Sequence, residues 1–144
     1  MSSDLHVTVA ARLHQVGQRF TPGRRALVDV LDASERPLTL PEILEHDSSV
    51  AQSSAYRNLS VLERASVVRR ISTTDEWARF ELAEDLTEHH HHLICGICGT
   101  VEDFTVGADL ELAVDRALRR IARRRGFAPE HHRLDLIGTC SRCV

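Results

Sequence analysis

The chain has 144 residues, of which 42% are hydrophobic and 4% aromatic, so it can bury an aliphatic core as one ordinary domain or two small ones. Its formal net charge of −3 argues against nucleic-acid binding over the whole surface and leaves room only for a local basic patch. No apolar run approaches the length of a membrane span, and the N-terminus MSSDLHVTVA lacks a basic region followed by an apolar one. We therefore predict a cytoplasmic protein without a membrane partner.

Apolar residues recur at helical spacing through the first half of the chain and predict four helices. The first covers residues 5–17. The second begins in FTPGRRALVDVL, with Thr21 as its N-cap. After a break at Pro37-Leu38, Thr39 caps a short third helix that ends at residue 46, and the fourth runs from about residue 51 to about residue 65.

Two β-rich runs, VVRRIS and WARFEL, flank the polar turn Thr73-Thr74-Asp75-Glu76 and predict a hairpin. Helices followed by a two-stranded hairpin are the order of a winged helix, in which the last helix before the wing enters the DNA major groove. We therefore predict an α+β fold that begins with a winged helix-turn-helix DNA-binding domain over residues 1–83. The polar, unpatterned residues 84–88 predict a linker.

The predicted fourth helix carries a polar stripe on the side opposite its apolar face. Arginine can grip guanine edges or phosphates, and tyrosine can contact a phosphate or a thymine methyl group. An ordinary solvated helix face is the alternative interpretation. The predicted DNA contacts are Ser53, Tyr56, Arg57, Ser60 and Arg64.

Beyond the linker, HHHHLIC, TVEDF and HHRLDLIGTC predict three strands, and apolar spacing over residues 108–125 predicts a helix between the last two. This helix ends in RRIARRR, where cations stabilise the negative end of the helix dipole; contact with phosphates is the alternative. The predicted second unit covers residues 89–144.

The four cysteines form two Cys-x-x-Cys pairs, one on each side of the predicted last helix. Disulfides are rare in a reducing cytosol, whereas two such turns suit one tetrahedral zinc ion. We predict a structural Zn²⁺, with disulfide or redox use as the alternative. The predicted ligands are Cys95, Cys98, Cys140 and Cys143.

Four consecutive histidines occupy residues 89–92, away from the terminus where a purification tag would lie. In an extended segment successive side chains point to opposite faces, and residues two apart are separated by about 6.5–7 Å, so alternate imidazoles can reach one ion. One strand therefore supplies half of two metal sites; surface histidines without ions are the alternative. Imidazole with carboxylate suits Zn, Fe(II), Mn or Ni. Candidates for the remaining ligands are Glu81, Glu102, Asp103, Asp109, Glu111, His131 and His132.

The motifs RFTPGRRALVDVL, SSAYRNLSVLERA, FEL, HHHHLICGIC and GTCSRC, in this order, resemble the ferric uptake regulator family of bacterial metal-dependent repressors. The resemblance covers almost the whole chain. It implies a C-terminal α/β dimerisation domain containing zinc, and a homodimer that binds double-stranded operator DNA when loaded with Zn²⁺ or Fe²⁺. Peroxide, nickel and manganese sensors are the alternatives within the family.

An enzyme and a metal-storage module are the alternatives of other classes. A zinc-dependent hydrolase would use an open coordination position, but the chain has no His-Glu-x-x-His element and no serine in a nucleophile elbow. A storage module would not need a winged helix. We therefore expect neither an enzyme nor a small-molecule substrate.

The resemblance also assigns the ligands to roles. The four cysteines hold the structural zinc, and Tyr56 with Arg57 matches a Tyr-Arg pair of the family's recognition helix. The ligands implied for a hinge sensory site are Glu81, His90, His92 and Asp103. Those implied for a site inside the dimerisation domain are His89, His91, Glu111 and His132, with Glu111 chosen from the predicted last helix.

The hinge site departs from the family at the ligand that usually comes from the DNA-binding domain. Iron and peroxide sensors use a histidine after the second helix, where this chain has Arg36-Pro37. Zinc sensors use an aspartate in the wing and a cysteine before the linker, where it has Arg69 and Ala83. The resemblance therefore implies an altered or weak hinge site, or one completed by Asp75, Glu76 or His46.

Overall fold

Helices dominate the first half of the molecule, and three strands accompany one long helix in the second. The computed structural model describes residues 2–73 and 75–144. The helices are α1 (Ser2–Gln15), α2 (Pro22–Ala33), α3 (Leu40–His46), α4 (Gln52–Arg64) and α5 (Ala108–Arg124). The strands are β1 (Leu38–Thr39), β2 (Val68–Ile71), β3 (Arg79–Leu82), β4 (His91–Cys95), β5 (Val101–Phe104) and β6 (Asp135–Gly138). Within those residues, no helix is both long and apolar enough to cross a membrane.

Threonine side chains fix the starts of α2 and α3, as predicted. The Thr21 hydroxyl accepts a hydrogen bond from a backbone N–H in the first turn of α2, and Pro22 opens that turn. Thr39 and Glu42 form a reciprocal capping box, in which each side chain accepts a hydrogen bond from the other residue's backbone N–H. These caps fix where the two helices that pack against α4 begin.

Two local features differ from the sequence prediction. α1 begins at Ser2, three residues before the predicted start, and ends at Gln15, two residues before the predicted end. It ends early because Gly17 adopts a φ of +72°, and a residue in the left-handed conformation ends a helix. The two-residue strand β1 follows Pro37 and is too short to show a periodicity. It pairs with β3 and completes an antiparallel sheet in the order β1-β3-β2.

The predicted wing is present as the antiparallel pair β2 and β3, although its predicted turn includes Thr74, which lies outside the described residues. The wing packs with α1–α4 around one aliphatic core, whose fully buried side chains include Leu13, Leu27, Leu59, Leu62 and Phe80. Full burial of one such side chain stabilises the fold by about 1.5–3 kcal/mol. The core therefore holds α4 and the wing in a fixed relation, and the predicted α+β fold with a winged helix is confirmed.

The second sheet has the strand order β5-β4-β6, with β4 antiparallel to β5 and parallel to β6. α5 lies in the connection that returns the chain for the parallel pairing, as such connections require. The predicted strand HHHHLIC is longer than the observed one, since β4 begins at His91 and the two preceding histidines lie outside it.

Two contacts join the two sheets, and the linker packs on the first core. Ile71 at the end of β2 forms a buried cluster with Ile94 and Val101 of the second sheet. Gly99 has a φ of +76°, and a Cβ atom there would overlap the Asp75 carboxylate of the wing. The predicted linker contains a 3-10 turn over Glu84–Leu86, and the leucine packs against the first core.

Candidate metal centres and nucleic-acid interface

The four cysteines meet where β4 and β6 end. Their Sγ atoms all lie within 4.8 Å of one another, and Cys98 Sγ is 3.7 Å from Cys140 Sγ. The parallel pairing of β4 with β6 places the two Cys-x-x-Cys turns side by side, and all four thiols are free of disulfides. Four thiols this close together fit Zn²⁺, which cysteine sites bind as a tetrahedron.

Nearby hydrogen bonds make the thiols unequal. The amides of Cys140 and Cys98 donate to Cys95 Sγ at 3.4 Å and 3.5 Å and lower the pKa of Cys95 to about 6. The hydroxyl of Thr100, 3.1 Å from Cys98 Sγ, lowers the pKa of Cys98. The contact with Cys140 raises the pKa of Cys143 to about 12. Crowded thiolates repel one another, so a cation is what allows all four to ionise together.

The predicted hinge ligands are brought together by β3, β4 and β5: the donor atoms of Glu81, His90, His92 and Asp103 lie within 4.8 Å of one another. The Nε2 atoms of His90 and His92 are 3.0 Å and 3.2 Å from Glu81 Oε2. The same two atoms are 3.7 Å and 3.6 Å from the Asp103 carboxylate. Because Glu81 lies in the wing and the other three residues lie in the second half, this cluster spans the two halves.

Burial and hydrogen bonds set the charges of the residues in the hinge cluster. Burial opposes ionisation of Glu81, but hydrogen bonds from His92 and Arg69 outweigh it and hold the pKa of Glu81 at about 2. Burial raises the pKa of Asp103. Burial works against protonation of His90, yet a backbone carbonyl and the Glu81 carboxylate raise its pKa overall. Asp103 Oδ1 is buried without a hydrogen-bond partner in the described part of the chain, so an acceptor remains to be satisfied there.

A second imidazole–carboxylate cluster surrounds Glu111, in the first turn of α5. His89, His91 and His132 direct their Nε2 atoms at its carboxylate, at 2.9, 2.8 and 2.7 Å. These hydrogen bonds, led by that of His91, lower the pKa of Glu111. Three imidazoles and one carboxylate within 4.8 Å of one another fit the same divalent cations as the hinge cluster.

The predicted alternation of the four histidines holds in the structure. His89 and His91 face Glu111, with ring centroids 4.7 Å apart, whereas His90 and His92 face Glu81, with centroids 5.0 Å apart. The alternation therefore extends two residues before the first residue of β4. The other ligand candidates from the sequence lie outside the three clusters of described residues: Glu102, Asp109, His131, Asp75, Glu76 and His46.

Three residues contact the clusters without having been predicted to do so. Arg69 donates to Glu81 Oε1, with its Nε at 2.8 Å. Glu84 contacts His89 Nδ1, and Asp135 Oδ1 lies 3.5 Å from His92 Nδ1. The hydrogen bond with Glu84 orients the ring of His89, and both contacts leave Nε2 directed at the cluster. The only sequence signal for Arg69 is its position opposite Glu81 in the wing, which requires the hairpin register to be known.

The predicted DNA-contacting side chains all lie on the exposed face of α4. The opposite face buries Ala55, Leu59 and Leu62, so the stripe and the core face are separated as predicted. Tyr56 is 51% exposed although it is aromatic, which leaves its ring available for a partner. The exposed residues are Ser53, Tyr56, Arg57, Ser60 and Arg64.

Comparisons with known proteins agree with this arrangement. The family model described as "Ferric uptake regulator family" matches residues 15–137. The Ferric uptake regulation protein of Cupriavidus metallidurans is 34% identical over 137 residues, covering 92% of this chain and 91% of that protein. The Peroxide-responsive repressor PerR of Staphylococcus aureus is 30% identical over 137 residues, covering 92% of this chain and 87% of that protein.

The fold is similar to that of the Helicobacter pylori ferric uptake regulator Fur, with a TM-score of 0.74. The two sequences are 22% identical, and the match covers 99% of this chain and 93% of the solved one. The family match spans α2–α4 and the wing, both histidine clusters and the first Cys-x-x-Cys pair. The chain belongs to the ferric uptake regulator family.

Proposed function

We propose that the chain is a metal-responsive transcriptional repressor that binds operator DNA as a homodimer when loaded with Zn²⁺ or Fe²⁺. The observation that carries this proposal is the hinge cluster, in which Glu81 of the wing meets His90, His92 and Asp103 of the second half. On this proposal, residues 1–83 are the DNA-binding domain, residues 84–88 the linker and residues 89–144 the dimerisation domain. Family membership and the two curated relatives support the regulatory role.

The regulatory cation would supply positive charge between carboxylates and imidazoles that belong to different halves of the chain. These residues would hold it and thereby favour one orientation of the winged helix. Shifting such an equilibrium from 1:99 to 99:1 takes about 5.5 kcal/mol of differential binding. The cluster around Glu111 would hold a further cation within the second half, and the four cysteines would hold the structural zinc.

Exposed apolar side chains in the second half support a homodimer. Aliphatic residues on α5 and on the edge strand β6 are open to solvent, and so is Phe127. Such a surface on a small domain, beside an unpaired strand edge, is typical of a protein interface. The exposed residues are Leu110, Leu112, Leu118, Ile121, Phe127, Leu134, Leu136 and Ile137.

We expect Arg57→Ala to weaken binding to operator DNA by about 5-fold to about 150-fold, the range of one base-reading arginine at about 1–3 kcal/mol. A randomised duplex pool would first be selected on the parent protein with Zn²⁺ or Fe²⁺, and the enriched sequence then used in shift assays with metal or with chelator. The parent should bind only with metal. Arg57 is exposed, so dimerisation and metal content should stay unchanged.

Arg123→Ala is the matched control, because Arg123 lies in the last turn of α5, where the helix dipole accounts for its charge. It should bind the selected DNA like the parent. Equal affinity of parent and Arg57→Ala would contradict the proposed DNA-binding face. A parent protein that enriches no sequence, or the same sequence with chelator, would contradict the proposed function.

We expect the affinity of the hinge cluster for Zn²⁺ to fall as the pH is lowered. A proton and a cation compete for the Nε2 lone pair, and the raised pKa of His90 means that the competition begins at a higher pH than for an ordinary histidine. Chelator competition from about pH 8 to about pH 6 would measure this in a Glu111→Ala background. A His90→Gln variant should show a shallower pH dependence, and an identical slope would rule out His90 as a ligand.

A further inference from the structure

Arg69 contacts the hinge cluster from inside the wing. It lies on β2 directly opposite Glu81 on β3, and both side chains are largely buried, at 19% and 9% exposure. Arg69 donates to Glu81 Oε1 from Nε at 2.8 Å and also from Nη2. A carboxylate oxygen has two lone pairs, so these two N–H groups occupy the positions from which Oε1 would otherwise bind a cation.

The other oxygen of Glu81 faces the imidazoles. His90 Nε2 lies 3.0 Å from Oε2, and His92 Nε2 lies between the two oxygens, at 3.1 Å from Oε1 and 3.2 Å from Oε2. Both oxygens of Glu81 therefore lie near His92 Nε2, but only Oε2 is free of a hydrogen bond from Arg69. Arg69 also carries a permanent positive charge, which neutralises the negative charge of one of the two carboxylates, Glu81 and Asp103, before any cation binds.

We infer that Arg69 limits Glu81 to a single metal-binding oxygen and thereby makes the hinge site selective for Zn²⁺ over Fe²⁺ and Mn²⁺; this inference rests on the proposed function. Two imidazoles, Oε2 of Glu81 and the carboxylate of Asp103 then make four ligand groups. Zn²⁺ accepts four ligands in a tetrahedron, whereas Fe²⁺ and Mn²⁺ favour more ligands and Mn²⁺ favours octahedral oxygen sites. The positive charge of Arg69 repels all three divalent cations about equally, so the selectivity comes from the number of ligands.

The test uses Co²⁺ as a spectroscopic probe, because four-coordinate Co²⁺ absorbs visible light far more strongly than six-coordinate Co²⁺. Full-length protein with zinc in its cysteine site and with Glu111→Ala would be titrated with Co²⁺, and separately with Zn²⁺ and Mn²⁺ against a chelator. The parent should give the intense four-coordinate spectrum. Arg69→Ala should give a weaker spectrum, and its ratio of Zn²⁺ to Mn²⁺ affinity should fall about tenfold, the effect of one charge-assisted contact.

Two further variants separate coordination from charge and from folding. Arg69→Lys keeps the positive charge but loses the two-pronged donor, so it should resemble Arg69→Ala in its spectrum; it carries the test if the alanine variant does not fold. Arg70→Ala is the matched control, since Arg70 is the neighbouring arginine of β2, is 40% exposed and pairs with Glu63. Its spectrum and affinity ratio should equal those of the parent.

The outcomes distinguish this inference from the proposed function. A parent protein that binds no Co²⁺ beyond the cysteine site would overturn both. A parent that binds Co²⁺ in the six-coordinate form would overturn the role of Arg69 alone. Unchanged spectra and affinity ratios in Arg69→Ala and Arg69→Lys would also overturn only the role of Arg69. In either case, a metal-dependent DNA shift with the parent protein would still support the proposed function.

Discussion

Cys98→Ser should release the zinc and unfold the second half of the chain. Structural zinc contributes roughly 10–16 kcal/mol in small domains, comparable to the total stability of an ordinary domain. The second half has little else to hold it: from residue 89 onward, the buried hydrophobic residues of the described structure are Ile94, Cys95, Val101 and Ala122. The two cysteine turns also anchor the ends of β4 and β6, so the sheet depends on them.

Metal analysis, circular dichroism and size-exclusion chromatography would measure this result. The parent should retain about one zinc per chain through purification, and Cys98→Ser should retain none and lose β-sheet signal and dimerisation. Ser141→Ala is the matched control, because Ser141 lies between two ligand cysteines and is exposed. A zinc-free Cys98→Ser protein that remained a folded dimer would show that the cysteine cluster does not stabilise the fold.

Sequence spacing predicts those parts of the site that depend on local geometry. The Cys-x-x-Cys pairs and the alternation of residues 89–92 follow from backbone periodicity, and the structure reproduces both arrangements. Thr21 and Thr39 cap their helices for the same local reason. The predicted metal-binding roles of the cysteines and histidines rest on their donor atoms and on the resemblance to the family.

The contacts that could not be predicted from the sequence depend on which strands pair and in which register. Arg69 reaches Glu81 because β2 and β3 pair as they do, and Asp135 reaches His92 because β6 lies parallel to β4. The sequence also offers Asp75 as an extra hinge ligand, but its carboxylate forms an ion pair with Arg79 at 2.8 Å. The first two contacts follow from which strands are neighbours, which a single sequence does not encode in its spacing, whereas the pair of Asp75 and Arg79 is local.

The two histidine clusters should differ in how much their loss affects DNA binding. His90→Ala and His92→Ala should each weaken Zn²⁺ binding at the hinge by at least about 100-fold. Loss of a residue that only hydrogen-bonds to a metal-binding side chain typically weakens metal binding by about 10- to 100-fold. Both should also abolish metal-dependent DNA binding, because Glu81 connects this cluster to the wing. His131→Ala is the control, since His131 is exposed and lies outside the three clusters.

His89→Ala and His91→Ala should instead damage the cluster around Glu111 and leave the hinge intact. All members of that cluster, including Glu111 and His132, lie in the second half. A cation bound there would connect α5 with the start of β4 and would not contact the wing. We therefore expect DNA binding to be reduced but retained. Metal titrations and shift assays of the four single variants would decide. A phenotype shared by the neighbours His89 and His90, rather than by alternate residues, would show that the two clusters do not act as separate sites.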